Sequence, residues 1–281
     1  MGTYLITGST GTVGQGVVET LVEQGHTVRA ATRAPDQYSG VGIPTRLDVF
    51  DESTFSDAVD GVDAMFVMSP AGHADAAAAL GPLVRAAGSR VPRIVTMTAQ
   101  GVQHDDAIPL RQLELTVEAT EASFVHLRPS WFAQNFNSFW LPPILEAGVI
   151  PLPAADAATG FIDARDISAT VAAVLQNDAF DGRGWELTGP EAMTYAQAAA
   201  ILSEVSGRSI TYSAIDDDTF LKNLSGTPLP VEYQHLLVAL FQAVRAGSAR
   251  VVTQSVATLT GTAPRSLVDY ARDHKEVWAA P

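Results

Sequence analysis

Short apolar runs separated by amphipathic stretches set the pattern of the first half of the chain. The runs fall at residues 3–7, 27–32, 45–49, 64–68, 93–98 and 124–127. Runs of this length, bounded by Gly, Pro or polar residues, predict buried strands. Helical spacing of apolar positions fills the gaps at 13–24, 53–59, 74–87 and 110–122, the first closed by Gly25. Strands alternating with such helices predict an α/β fold, a Rossmann-type doubly wound parallel sheet.

Past Pro129 the pattern changes. Prolines at 142, 143, 151 and 153 break the periodicity and predict a loop-rich stretch to about residue 160. A strand at 161–162, a helix at 166–175 with Asp166 as its N-cap, and a strand at 185–188 follow. Thr194 reads as the N-cap of a helix ending before Gly207, and two further helices are expected at 231–246 and 265–277. The expected organisation is a nucleotide-binding domain at 1–130, with chain returning to it at about 161–190. Residues 131–160 and 191–281 then form a smaller, mainly helical substrate lobe.

Composition narrows the class. With 47% hydrophobic and 17% charged residues in 281, the chain can bury a core. Its 31 acids against 17 Lys+Arg give a net charge of -14. A surface this acidic repels phosphate backbones, so no nucleic-acid partner is expected. The absence of cysteine excludes disulfides, thiolate metal sites and a cysteine nucleophile, and fits a reducing compartment. No apolar stretch approaches the roughly twenty residues of a membrane span, and the first apolar run leads straight into a glycine motif rather than a cleavage site. A cytoplasmic protein is expected, monomer or homodimer, acting on a small molecule away from membranes. No His/Asp/Glu set has metal-ligand spacing, so no metal is expected.

The glycine motif is Thr7-Gly8-Ser9-Thr10-Gly11-Thr12-Val13-Gly14, lying between the first strand and the first helix. Gly8 permits a tight turn, Gly11 lets backbone approach a pyrophosphate, and Gly14 lets helix pack on strand. The helix N-terminus adds free N–H groups and a positive dipole end. Gly8, Ser9, Thr10, Gly11, Thr12, Val13 and Gly14 are therefore candidate dinucleotide ligands. The second strand ends Ala30-Ala31-Thr32-Arg33, with no acid before Asp36. An acid there suits the ribose hydroxyls of NAD, whereas an arginine suits the 2′-phosphate of NADP. Arg33 favours NADP(H) over NAD(H), with Asp36 folding back as the alternative.

Together with later residues, this loop resembles the NmrA-like family of atypical short-chain dehydrogenase/reductases. The resemblance rests on the Thr-Gly-x-Thr-Gly-x-x-Gly loop, Arg33, and Leu127-Arg128-Pro129 followed by Trp131-Phe132 and Asn135. It rests also on the run from Phe161 to Ile167 and a C-terminal helix near Trp278. It is closest to the branch holding fungal ergot-alkaloid reductases and bacterial quinone reductases. It implies a Rossmann domain with a small substrate lobe and a bound nicotinamide dinucleotide. It further implies Asp48 and Val49 beside the adenine, and Met68, Ser69 and Pro70 beside the adenine ribose and pyrophosphate. The same resemblance implies that Thr98 takes the place of the catalytic serine of ordinary short-chain reductases. One departure matters: ordinary members use a Tyr-x-x-x-Lys pair as acid catalyst, and no tyrosine here has a lysine four residues on.

Two more features bear on substrate and mechanism. Trp131, Phe132, Phe136, Phe139 and Trp140 cluster after the sixth strand, with 132, 136, 139 and 140 at helical spacing. The spacing fits a core stripe. The position fits the wall of a pocket for a flat apolar substrate, with Trp131, Phe132, Asn135 and Phe136 as its residues. Candidate catalytic groups are Thr98, which is also a candidate cofactor ligand, Asn135 and His104, the last in the loop after the fifth strand, while His126 inside the sixth strand reads as a core residue. The leading function is an NADPH-dependent reductase of a small, apolar, electron-poor substrate: a quinone, enone or iminium. The alternatives are a non-catalytic NADP-sensing regulator and a redox-neutral cyclase or dehydratase on the same fold.

Overall fold

Leu5, Ile6, Met65, Phe66, Ile94, Val95 and Val125 have no solvent exposure at all. That is the signature of a parallel sheet covered on both faces, whose strands read as continuous apolar runs. In the computed structural model, which describes residues 1–70 and 72–279, these residues lie on β1 (Thr3–Ile6), β4 (Ala64–Met68), β5 (Arg93–Met97) and β6 (Ser123–Pro129). With β2 (Thr27–Thr32) and β3 (Ile43–Arg46) they form a sheet of order β3-β2-β1-β4-β5-β6, closed by the strand Arg183–Leu187 beside β6. The pairs from β3 through β6 are all parallel. The order reverses between β1 and β4, which makes the carboxyl end of β1 a topological switch point, where such sheets open a crevice for ligands.

Helices follow from the amphipathic stretches between strands. α1 (Thr12–Glu23) buries Val13, Val17, Val18 and Leu21 on one face. α2 (Phe55–Val59) is short, and α3 (Ala76–Ala87) is capped by the Asp75 carboxylate, which accepts from the Ala78 N–H at 2.9 Å. α4 (Pro109–Glu118) stops four residues before the expected 122, because the Thr120 N–H tightens onto the Val117 carbonyl and Ser123 already bonds Pro92 to start β6. β3 lies at 43–46, not 45–49. Its pairing runs from Arg29↔Ile43 to Thr32↔Arg46, so it ends where its partner β2 ends.

The chain divides into two units. The first joins Met1–Pro129, Arg165–Glu186 and Thr258–Gly261. The second holds Ser130–Ala164, Leu187–Ala257 and the stretch from Thr262 onward. The return to the first unit is thus narrower than 161–190, since Phe161 packs into the aromatic core of the second.

The second unit is mainly helical, with Leu141–Ala147, Tyr195–Ser206, Asp217–Leu224, Val231–Arg245 and Leu267–Asp273 around Phe136, Trp140, Tyr195, Phe241, Tyr270 and Trp278. The expected loop between 131 and 160 contains a helix. Pro142 and Pro143 sit in its first turn, where a missing N–H costs nothing, and Gly148 at φ 66° ends it. The expected strand at 161–162 is a single bridge between Phe132 and Ile162. Asp166 is not an N-cap: the helix begins at Ala164, which puts Asp166 inside its first turn. Thr194 does cap its helix, in a reciprocal box with Gln197.

Candidate functional site

The loop after β1 is held from three sides. The Thr7 N–H donates to the Phe66 carbonyl and its hydroxyl accepts from the Met68 N–H, tying the loop to β4. The Ser9 hydroxyl donates to the Ala31 carbonyl at 2.8 Å, tying it to β2. Gly11 N–H closes the turn onto the Gly8 carbonyl at 2.9 Å.

The three glycines are needed for different reasons. Gly8 sits at φ 62°, in the left-handed region. A Cβ on Gly14 would lie 2.2 Å from the Gly8 carbonyl oxygen, so packing of α1 forbids one. Gly11 has ordinary extended backbone (φ −95°, ψ 169°), and a Cβ there would meet nothing closer than 3.4 Å. The protein itself does not require glycine at 11. Gly8, Thr10, Gly11 and Thr12 are exposed, and α1 starts with no side-chain cap, leaving its first N–H groups without intrahelical partners. Directly after β4, the Ser69 hydroxyl oxygen is buried and has no partner. An open floor, an uncapped helix end and an orphaned hydroxyl make an arrangement that a pyrophosphate fits.

Arg33 lies exposed in the turn after β2 and makes no ion pair among the described residues; Asp36, on the short turn Pro35–Gln37, does not approach it. Sequence reasoning missed a second cation. Arg46 ends β3 opposite Thr32, so two exposed arginines close neighbouring strand ends. Placing β3 two residues late had hidden it inside a strand. Beyond β3, Asp48 accepts from the Phe50 N–H and gives its own N–H to Thr54, while Val49 packs on the core. These residues fit a nicotinamide dinucleotide phosphate: N–H groups for the diphosphate and a guanidinium for the 2′-phosphate.

At the carboxyl end of β5 the chain carries a buried charged network. Thr98 donates its hydroxyl proton to Glu114 Oε1 at 2.7 Å. The same oxygen accepts from Arg128 Nε at 2.9 Å, and Oε2 from Arg128 Nη2 at 2.8 Å and Arg111 Nη1 at 2.9 Å. Glu114 has no exposure. Burial pushes its carboxyl up, but the hydrogen bonds from Arg128 and Thr98 and the nearby cations outweigh that and hold it below the ordinary range.

One step along, His126 is buried between Thr96, 2.5 Å from its Nδ1, and Glu118, 3.3 Å from its Nε2. Burial drives its pKa down to about 4 despite both acids, so it is neutral near pH 7. Glu114, Glu118 and His126 bring ligand atoms within 4.8 Å of one another. With both Glu114 oxygens filled by four donors, three of them cationic, the set is an ion-pair network and not a cation cage. Glu114 was overlooked in the sequence. Its signal was its place on the inward face of α4 with the buried Leu113 and Val117 and the partly buried Leu110, at spacings of three and four.

The other expected site residues differ in exposure. His104 is exposed on the turn Val102–His104, 3.1 Å from the Gln103 amide. Phe136 is not a pocket residue: it has no exposure and packs edge-on against Trp140 and Phe161. Trp131, Phe132 and Asn135 keep part of their surface open, with Trp131 lying on Phe241 at 4.7 Å between ring centres. The helical stripe expected at 132–140 is a 3-10 turn, Ala133–Asn137, that turns Phe136 and Trp140 inward and leaves Phe139 41% exposed.

The NmrA-like family model matches residues 2–258. The chain belongs to the NmrA-like family. An oxidoreductase of Bacillus subtilis (strain 168), YesF, is 31% identical to this NmrA-like chain, over 98% of it and 96% of the relative. The (4-alkanoyl-5-oxo-2,5-dihydrofuran-3-yl)methyl phosphate reductase of Streptomyces griseus subsp. griseus is also 31% identical, over 98% and 99%. In fold, the chain matches an NADPH-dependent quinone oxidoreductase of Escherichia coli, solved with NADPH, at a TM-score of 0.83 and 23% identity, over 96% of this chain and 99% of that one. No helix among the described residues is long and apolar enough to cross a membrane.

Proposed function

We propose that this NmrA-like protein is an NADPH-dependent reductase of a small, apolar, electron-poor substrate: a quinone, enone or iminium. The observation that carries it is Gly11. The fold accounts for glycine at 8 and 14; at 11, the N-cap of α1, it leaves room for a Cβ, and a ligand lying on the loop is the reason we adopt for glycine there. The oxidoreductase relatives support redox chemistry on that ligand.

When bound, NADPH supplies a hydride. The loop N–H groups and the N-terminus of α1 hold the diphosphate, and Arg33 holds the 2′-phosphate. Reducing an ordinary ketone builds negative charge on oxygen, and a positioned acid is then worth roughly 10²–10⁴-fold. This chain has no Tyr-x-x-x-Lys pair, and the Thr98 proton is already committed to Glu114. An acceptor that spreads or neutralises its own charge leaves the protein chiefly to orient the reactants. We assign Trp131, Phe132 and Asn135 to substrate, as the residues of the aromatic segment with open surface.

The test has two parts. By calorimetry NADPH should bind more tightly than NADH by about 1.5–3 kcal/mol, the range of a charge-assisted contact, and Arg33→Asp should erase the difference. Equal affinities in the parent would refute the assignment of Arg33. Turnover with NADPH deuterated at C4 should carry deuterium into the product as the cofactor is oxidised. Product without cofactor oxidation would instead mean a redox-neutral enzyme, and no reaction across a broad panel would favour a sensor.

A further inference from the structure

We propose that Glu114 makes Thr98 an obligate hydrogen-bond acceptor, and that the donor it receives is the carboxamide N–H of the nicotinamide. The inference rests on the dinucleotide reading above and adds to it a positioning residue and the polarity of one contact.

Glu114 is ionised and can only accept. Arg128 grips it in a two-pronged contact and Arg111 adds a third N–H, so the carboxylate cannot turn away from Thr98. The 2.7 Å contact therefore uses the one proton that Thr98 owns. Whatever else meets this hydroxyl meets lone pairs. It cannot give a hydrogen bond to a substrate carbonyl, which is the task of a serine in this place.

Position identifies the partner. Thr98 directly follows β5 at its carboxyl end, the end at which the glycine loop follows β1. Thr96, one residue pair back on the same face, is sealed at 0% exposure, while Thr98 keeps 7%. The adenine half of a Rossmann dinucleotide lies toward β2, so the nicotinamide half runs the other way, over β4 toward β5. In the sheet order β1-β4-β5 that is two strand spacings, about 10 Å. The nicotinamide half carries ribose hydroxyls and one N–H donor group, the carboxamide at its far end, and it is the carboxamide that we assign to Thr98.

The experiment is calorimetric titration of the full chain with NADP+ and with its 3-acetylpyridine analogue, in which a methyl ketone replaces the amide and no N–H remains. The parent should bind the analogue roughly three- to tenfold more weakly, the worth of one neutral hydrogen bond. Thr98→Ser should keep that gap and Thr98→Val should close it. Glu114→Gln should also close it, because an amide N–H facing Thr98 frees the hydroxyl to rotate. Equal binding of both nucleotides by the parent, or a gap that persists in Thr98→Val, overturns the contact. A full gap in Glu114→Gln overturns the role of Glu114, and if that variant does not fold, the valine and serine variants still decide the contact. Failure of the parent to bind either nucleotide overturns the dinucleotide reading itself, a separate result.

Discussion

At the scale of single residues, the molecule buries two titratable groups and holds both below their ordinary pKa values. Glu114 stays charged without solvent because four donors replace its hydration. His126 stays neutral because burial outweighs the pull of Glu114 and Glu118, and Arg128 and Arg111 oppose its protonation as well. Both folded pKa values lie below the unfolded ones, so both couple acid to unfolding. For His126, the unfolded chain takes up its proton as pH falls through 6.5 while the folded chain resists until about 4. The stability it contributes is lost across that window, at up to about 1.4 kcal/mol per pH unit. The Glu114 contribution is full above the ordinary 4.5 and is lost at lower pH, as the carboxylate protonates through its folded value. Denaturant unfolding at pH 7, 5.5 and 4.5 should show falling stability in the parent and a shallower fall in His126→Gln. Identical slopes in the two proteins would show that His126 is not the group responsible.

At the scale of elements, the β1–α1 turn separates what folding needs from what binding needs. A Cβ at Gly14 would collide with the loop, whereas one at Gly11 would meet only the Gly8 carbonyl oxygen, at 3.4 Å. Gly14→Ala should destabilise the protein without ligand by about 1–3 kcal/mol, the cost of overpacking. Gly11→Val should leave the unliganded melting temperature near that of the parent and abolish the rise that NADPH produces. A larger loss of unliganded stability in Gly11→Val than in Gly14→Ala would reverse the assignment. The caps follow the same local logic. Thr194 with Gln197, and Ser266 with Asp269, begin their helices in reciprocal boxes spanning three residues, which is why the first was legible from sequence.

At the scale of the whole molecule, the two cores are built differently. The core of the first unit is mostly aliphatic and drawn from consecutive strand–helix pairs. That of the second is aromatic and gathered from distant stretches of chain, with Phe136, Tyr195, Phe241 and Trp278 in one cluster. Trp278 shows this most plainly: it is fully buried and gives its indole N–H to the Phe136 carbonyl at 2.8 Å. Trp278→Ala should therefore cost about 3–5 kcal/mol and expose the second unit to limited proteolysis before the first. Cleavage starting within the first unit would contradict this.

What the sequence determined by itself is the part of the protein written in short-range pattern. Short apolar runs, a helical period of 3.6 residues, a glycine loop confined to eight residues, an arginine one place past β2 and a helix cap each depend on neighbours a few positions away, so the parallel sheet and its glycine loop could be read directly. Tertiary structure decided the rest. The 3-10 turn at Ala133–Asn137 forms because Phe136 and Trp140 must face Phe161, Tyr195 and Phe241, residues up to about a hundred positions distant. Glu114 belongs to the site only because β5, β6 and α4 bring Thr98, Arg128 and Arg111 to it. The spacing from Leu110 and Val117 puts Glu114 on the inward face of α4, but a carboxylate there is too costly to expect from spacing alone. Its burial is accounted for only once the packed sheet and α4 supply the charges that replace water.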